Sequence, residues 1–207
     1  MILPPALTSC PQKRSVVEID SLASLRCGGG AKTNCSETKW TFNSQTDVFY
    51  SGSRDLPGTY KQPLVLVQSG TVSPGPKAGR LNLTESCDLL IQRVRSDDAG
   101  VYTCSRINHS SLSNRSVVFL SVVYWNFAGS GSRYGNEEST QSCSVTPFSI
   151  RCGFSVKWLV QGSGDFNLWT DSCGTGIQFF GASPGVLQCE VTDLNSKQVY
   201  YFRWGSG

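Results

Sequence analysis

Apolar and polar residues alternate in short stretches along most of this 207-residue chain. Ser21–Cys27, Lys39–Asn43, Val48–Ser51, Leu64–Gln68, Arg80–Leu83, Asp88–Val94, Val101–Ile107 and Val117–Val123 each read as a strand with one face turned inward. Gly28-Gly29-Gly30 and Ser73-Pro74-Gly75-Pro76 punctuate them with turn residues. Farther on, Ser149–Val160, Gly176–Phe180, Val186–Val191 and Val199–Trp204 carry the same signal. Many short strands separated by turns predict an all-β sandwich class.

Within those strands the large residues fall in a fixed order. Cys27 is followed 13 residues later by Trp40, and Cys104 is preceded at minus two by Tyr102 within Asp98-Ala99-Gly100-Val101-Tyr102-Thr103-Cys104. This is the covalent core of an immunoglobulin sandwich. Cysteines on facing strands B and F form a disulfide, a tryptophan of strand C packs on it, and the tyrosine hydroxyl pins the E–F corner. Asp98 is placed to meet Arg80 at the start of strand D and close the base of the sandwich. Such a motif specifies a scaffold and leaves its use open.

The second half repeats the pattern. Cys27, Cys35, Trp40, Cys87 and Cys104 lie at intervals of 8, 5, 47 and 17 residues; Cys143, Cys152, Trp158, Cys173 and Cys189 lie at 9, 6, 15 and 16. One module has been duplicated, with a length difference after the tryptophan. The longer interval accommodates strands C′, C″ and D of a variable-type domain, and the shorter one fits a constant-like or C2-like domain. The expected organisation is an N-terminal segment 1–14, a variable-type domain 15–123 and a shorter domain 124–207. The apolar run Val117–Trp125 joins them without Gly, Pro or a Ser-rich tract, so little hinge freedom is expected.

Cys27–Cys104 and Cys143–Cys189 take the B–F positions. Cys35 lies in the B–C connection and Cys87 just after the D–E turn, at one end of the sandwich, so a Cys35–Cys87 bridge is sterically reasonable, with Cys152–Cys173 as its counterpart. Eight cysteines allow 105 pairings, and sequence does not force this one. Cys10 remains over, as a free thiol, a vestige of truncation or half of an intermolecular bridge.

Nine cysteines without a C-x-x-C pair argue for an oxidising compartment and against zinc ribbons or thioredoxin-type sites. Sequons at Asn34, Asn82, Asn108 and Asn114 agree with export and glycosylation. A net charge of +3 from 16% charged residues is too mild for a nucleic-acid footprint. No apolar run approaches the roughly 20 residues that span a bilayer. A start methionine without a leader suggests an ectodomain whose leader and anchor lie outside these residues, with a membrane reached only through that anchor. The single histidine, His109, sits in a sequon, and Gly28–Thr33 lacks the spacing of a phosphate loop. No catalytic constellation, metal site or cofactor site is expected.

With these residues laid out, the chain resembles teleost fish immunoglobulin-superfamily receptors of two domains. The likeness rests on Asn34-Cys35-Ser36 before Lys39-Trp40, on Glu85–Ile91, on the Asp98–Cys104 corner, and on Val156-Lys157-Trp158-Leu159 and Leu187–Asp193. It implies a type I membrane receptor of immune cells that recognises a protein ligand or counter-receptor. Self-association in adhesion and binding of immunoglobulin are the alternatives. Leu187 stands where the corner tyrosine would be, so the second E–F corner must be held differently.

Glycans on Asn34, Asn108 and Asn114 would crowd the loop tip, which favours the flat sheet face for binding. With Trp40, Tyr102 and Cys104 inward, alternation turns Lys39, Thr41, Val101, Thr103 and Ser105 outward. Phe49 or Tyr50 of the C′ strand is expected beside them. If the sequons stay bare, the F–G loop from Arg106 to Arg115 is the better candidate.

Overall fold

The computed structural model describes residues 12–28, 34–44, 62–106, 115–133, 136–149, 151–180 and 185–203, and the protein is all-β with an immunoglobulin-like arrangement of strands. The first half contains β1 (Gln12–Glu18), β2 (Ala23–Leu25), β3 (Thr38–Ser44), β4 (Leu64–Gln68) and β5 (Thr71–Val72). After them come β6 (Leu81–Leu83), β7 (Leu89–Ile91), β8 (Gly100–Arg106) and the long β9 (Arg115–Arg133). The second half adds β10 (Asn136–Thr146), β11 (Phe154–Gln161), β12 (Phe166–Thr170), β13 (Gly174–Phe180), β14 (Val186–Asp193) and β15 (Val199–Arg203).

In the first half, β9-β8-β3-β4-β5 form one sheet and β2-β7-β6 the facing one, while β1 lies parallel to β9. That is the nine-strand arrangement of a variable-type sandwich. In the second half β9-β10-β13-β12 face β11-β14-β15, the four-plus-three division of a constant-type sandwich. The strand beside β3 is Leu64–Gln68, with Trp40 opposite Val67 and Thr41 opposite Val65. The C′ place expected for Val48–Ser51 is therefore taken by β4, whose apolar Leu-Val-Leu-Val run suits a strand buried on its inner face and whose Ser69-Gly70 turn pairs it with β5. Val48–Ser51, with Phe49 and Tyr50, lies outside the described residues.

Other boundaries move for readable reasons. β1 begins at Gln12, inside the segment 1–14 expected to precede the sandwich, because Gln12–Glu18 finds a partner in β9. The strand expected over Ser149–Val160 starts only at Phe154 and ends at Gln161. The residues before it carry Cys152, drawn aside to its disulfide.

Two hydrophobic cores result. The first gathers Leu25, Cys27, Trp40, Phe42, Leu89, Ile91, Tyr102, Cys104, Val118, Leu120 and Val122. The second gathers Val123, Cys143, Val145, Phe154, Val156, Trp158, Ile177, Phe179, Leu187, Cys189 and Val191, together with Val16. Leu187, where a corner tyrosine would stand, is thus a core residue.

β9 serves both. Val118, Leu120 and Val122 point into the first core, Val123 enters the second, and Ser121 between them is buried as well. A strand with both faces covered reads as a continuous apolar run, which is why Val117–Trp125 shows so little alternation. The expected boundary between residues 123 and 124 falls inside this strand, where hydrogen bonding passes from β1 to β10. Around it, the Arg14 guanidinium reaches the buried Asp193 carboxylate at 3.3 Å and lies 5.0 Å from the Phe148 ring centroid. Phe148 packs on Phe119 at 4.6 Å and its N–H donates to Ser121 Oγ; Trp125 Nε1 donates to Glu18. Burial alone would push the Asp193 carboxyl up, but N–H donors from Asn195 and Ser196 and the Arg14 charge hold it below its ordinary range.

The corner follows the expected plan and adds one residue to it. Tyr102 Oη donates to the Asp98 carbonyl at 2.8 Å. Arg80 grips the Asp98 carboxylate through two nitrogens at 2.7 and 3.0 Å, and the Arg95 N–H donates to it at 2.9 Å. Lys77 binds the same carboxylate at 2.6 Å, with its ammonium 4.9 Å from the Phe42 ring centroid. Arg80, Lys77 and Asp98 are all buried. Gly100 has no room for a Cβ, which would press on the Asn43 carbonyl and the Phe42 ring.

Removing one partner of a buried charged cluster costs about 3–5 kcal/mol. Asp98→Ala, which strands two buried cations, is expected to lose stability on that scale in denaturant titration; Lys77→Met, which leaves Arg80 on the carboxylate, should lose clearly less. Burial pushes the Asp98 carboxyl up, while the hydrogen bonds from Arg80, Lys77 and Arg95 outweigh it and hold it below its ordinary range. Its contribution is therefore complete above the unfolded carboxylate value and is lost as pH falls through the folded one. Acid titration of Asp98→Ala should accordingly show a shallower loss of stability than that of the parent. At the junction, the double change Arg14→Ala with Phe148→Ala is expected to broaden the distribution of particle dimensions in small-angle scattering. Unchanged scattering would mean that β9 alone sets the geometry.

Candidate interaction face

Strand alternation builds one flat surface on the outer side of β3, β8 and β9. Trp40, Phe42, Tyr102 and Cys104 are buried against β2, β6 and β7, so their neighbours face away. Lys39 stands opposite Ser105, Thr41 opposite Thr103, and Asn43 opposite Val101. On β9 the same rows continue to Arg115, Val117 and Phe119, and on β4 Thr41 meets Val65. Five of the seven residues expected on this face, Lys39, Thr41, Val101, Thr103 and Ser105, are thus cross-strand neighbours in three successive rows. All five are partly exposed. Phe49 and Tyr50 lie outside the described residues.

The face has a definite lower limit. Phe119, in the bottom row, is covered by Phe148, and Arg14 of β1 stands beside it in the register with β9. Toward the other end the rows become polar, with Lys39 and Arg115. No carboxylate occurs in the three rows among the described residues.

The Cys35–Cys87 bridge braces the end of the first half away from the junction, whereas Cys152–Cys173 lies beside the junction, where the Val145 N–H donates to the Cys173 carbonyl and Val145 pairs with Val123. Four bridges join Cys27 to Cys104, Cys35 to Cys87, Cys143 to Cys189 and Cys152 to Cys173, with Cα separations of 5.4, 5.5, 6.4 and 5.5 Å. These are the pairs that loop geometry made reasonable. The extra bridges are coupled to the tryptophans. Trp40 Nε1 donates to the Cys87 carbonyl at 3.0 Å, and Trp158 Nε1 to the Thr175 carbonyl at 3.2 Å, two residues from Cys173. Each indole N–H, buried with its ring, thereby has an acceptor. Bridges of this kind fit an extracytosolic chain.

Two sequon asparagines are described, and both are exposed. Asn34 caps the short 3₁₀ turn Cys35–Glu37, its Oδ1 accepting the Ser36 N–H at 3.0 Å. Asn82 lies on β6, opposite Leu90, which in turn pairs with Ser24. It therefore projects outward from β6, the edge strand of the β2-β7-β6 sheet, on the side of the sandwich away from Lys39 and Thr103. Asn108, Asn114, His109, Cys10 and most of the F–G loop, residues 107–114, lie outside the described residues. Among the described residues no group of three or more His, Cys, Asp or Glu side chains could hold a metal ion, and no helix is long and apolar enough to cross a membrane.

Lys77 is the contact that sequence reasoning missed. It sits before the turn Ala78–Arg80, and nothing in strand periodicity marks a loop lysine that folds back across 21 residues to Asp98.

No protein-family profile matches the chain, and no curated protein matches it.

Because the face residues turn away from the core, replacing one should leave the sandwich intact. Thr103→Arg is expected to change stability by no more than about 0.5 kcal/mol in denaturant titration. Thr175→Arg, at a buried position of the second half, should be strongly destabilising.

Proposed function

We propose that the chain is the ectodomain of a cell-surface immunoglobulin-superfamily receptor, built of two tandem domains and non-enzymatic, that recognises a protein partner in immunity through the face carrying Lys39, Thr41, Val101, Thr103 and Ser105. The observation that carries this reading is the asymmetry of the first sandwich. One broad sheet offers partly exposed side chains in register, while the opposite sheet bears the exposed Asn82 sequon on its edge strand β6. A glycan on Asn82 would screen that second face from its β6 edge and leave the first one open.

Charge favours a foreign partner over a second copy. Lys39 lies at the end of the face away from the junction, and the three rows hold no carboxylate among the described residues, so a second copy would offer it no partner there. An acidic rim on a foreign partner would pair with it, gaining mainly in association rate and specificity. Four disulfides support the extracellular setting. Attachment to a membrane belongs to the proposal and would come through a segment outside these residues.

The test uses the secreted chain as a soluble probe on immune cells. Binding should fall by at least about tenfold, the equivalent of roughly 1.4 kcal/mol, in Thr103→Arg and in Lys39→Glu. It should survive Ser24→Arg on the opposite sheet. Equal loss from all three changes, or none, removes the face from the reading. Sedimentation at micromolar concentration separates the adhesion alternative, since a strict monomer counts against strong self-association.

A further inference from the structure

The sequon Asn34-Cys35-Ser36 has a half-cystine as its middle residue, and the folded protein clamps it from two sides. Cys35 is bonded to Cys87. On the other side its backbone lies so close to the β4–β5 turn that a Cβ on Gly70 would come within 2.6 Å of the Cys35 carbonyl oxygen, while the Gly70 N–H donates to the Thr38 carbonyl. Inside the clamp the Thr38 N–H donates to the Cys35 carbonyl, and the Ser36 N–H donates to Asn34 Oδ1. Asn34 itself remains exposed.

We propose that closure of the Cys35–Cys87 bridge gates N-glycosylation of Asn34, so that the disulfide and the glycan compete for one short segment. The proposal rests on the reading that the chain is exported.

The chemistry sets the competition. In glycosylation the Asn34 amide nitrogen forms a bond to the anomeric carbon of a lipid-diphosphate-linked oligosaccharide. The carbon–oxygen bond to the diphosphate breaks, the diphosphate leaves with the electron pair, and one amide proton passes to a base of the transferring enzyme. The amide nitrogen is a weak nucleophile because its lone pair is delocalised onto Oδ1. A hydrogen bond from Ser36 N–H to Oδ1 deepens that delocalisation. The transferring enzyme must also hold the Asn34 side chain and the Ser36 hydroxyl together on a segment it can draw into its own site. A turn pinned by a disulfide and by the Gly70 backbone cannot be drawn out. In the competing step the two thiols lose two protons and two electrons to an oxidised dithiol carrier, which is reduced.

Timing leaves both reactions open. Cys87 follows Cys35 by 52 residues, which at typical synthesis rates is roughly 3–10 s. Disulfide formation begins on the scale of seconds. The segment therefore passes the transferring enzyme first as a free chain and later as a clamped one.

The experiment is site-resolved mass spectrometry of the full chain made in secreting animal cells, with total and secreted fractions collected. Cys87→Ala keeps the sequon and removes the clamp; Cys152→Ala removes the corresponding bridge of the second half and controls for general misfolding. The expected result is partial or no glycan on Asn34 in the parent, the same in Cys152→Ala, and a clear rise in Cys87→Ala. A brief pulse of reductant during synthesis should raise Asn34 occupancy in the parent in the same way. Complete occupancy in the parent, or equal occupancy in the parent and Cys87→Ala, overturns the gate. A secreted chain bare at Asn34 in every variant overturns modification at this site altogether, and a chain that never enters the secretory route overturns the export reading instead.

Discussion

Asp98 is the point on which the first sandwich turns. Its carboxylate collects Arg80, Lys77 and the Arg95 N–H, and its carbonyl receives the Tyr102 hydroxyl. Those contacts tie the approach to β6, the turn after β7 and the start of β8 to one residue. A buried carboxylate with two cations is stable only while all partners stay in place, because each would otherwise be an uncompensated charge in a poor solvent. The phase of β8 is fixed as a result. Tyr102 and Cys104 must point inward, and Val101, Thr103 and Ser105 are left on the outside. The outer face therefore inherits its order from an interaction buried at the far end of the strand.

Much of this was legible in the chain because it is periodic. Cys27, Trp40, Tyr102 and Cys104 lie on strands whose alternation announces their direction, and Lys39, Thr41 and Thr103 follow by parity. What escaped was aperiodic. Lys77 reaches Asp98 from a loop, and loop side chains carry no phase from which a partner could be read. The strand beside β3 was sought at Val48–Ser51, the nearest apolar run, whereas Leu64–Gln68 holds the place; distance along a chain says little about which of two candidates closes a hairpin. β1 was missed because Gln12–Glu18 is largely polar and owes its conformation to β9.

The two extra disulfides look alike in sequence and are alike in their connection to the interior. In each half the buried tryptophan hands its indole N–H to a carbonyl at or near the extra bridge, Cys87 in one and Thr175 in the other. The outer bridge is thus joined to the B–F disulfide through the ring packed on it. In the first half this places a core residue, an exposed sequon and a disulfide within a few bonds of each other. Cys87 itself sits at a positive φ of 64°, a conformation that non-glycine residues adopt at a cost and that the surrounding contacts hold in place.

The strand shared by both cores separates the repeat in the sequence from the unit of folding. In the sequence one pattern of cysteines and tryptophan occurs twice. By packing, β9 lends Leu120 and Val122 to one half and Val123 to the other, and Val16 of β1 completes the second core. Neither half can be excised cleanly. A cut after residue 123 would open the covered side of β9 to water, and loss of β1 would unroof a core whose remaining members begin more than 100 residues later. The halves are therefore bound to melt with some cooperativity, because each core holds side chains delivered by the same strand.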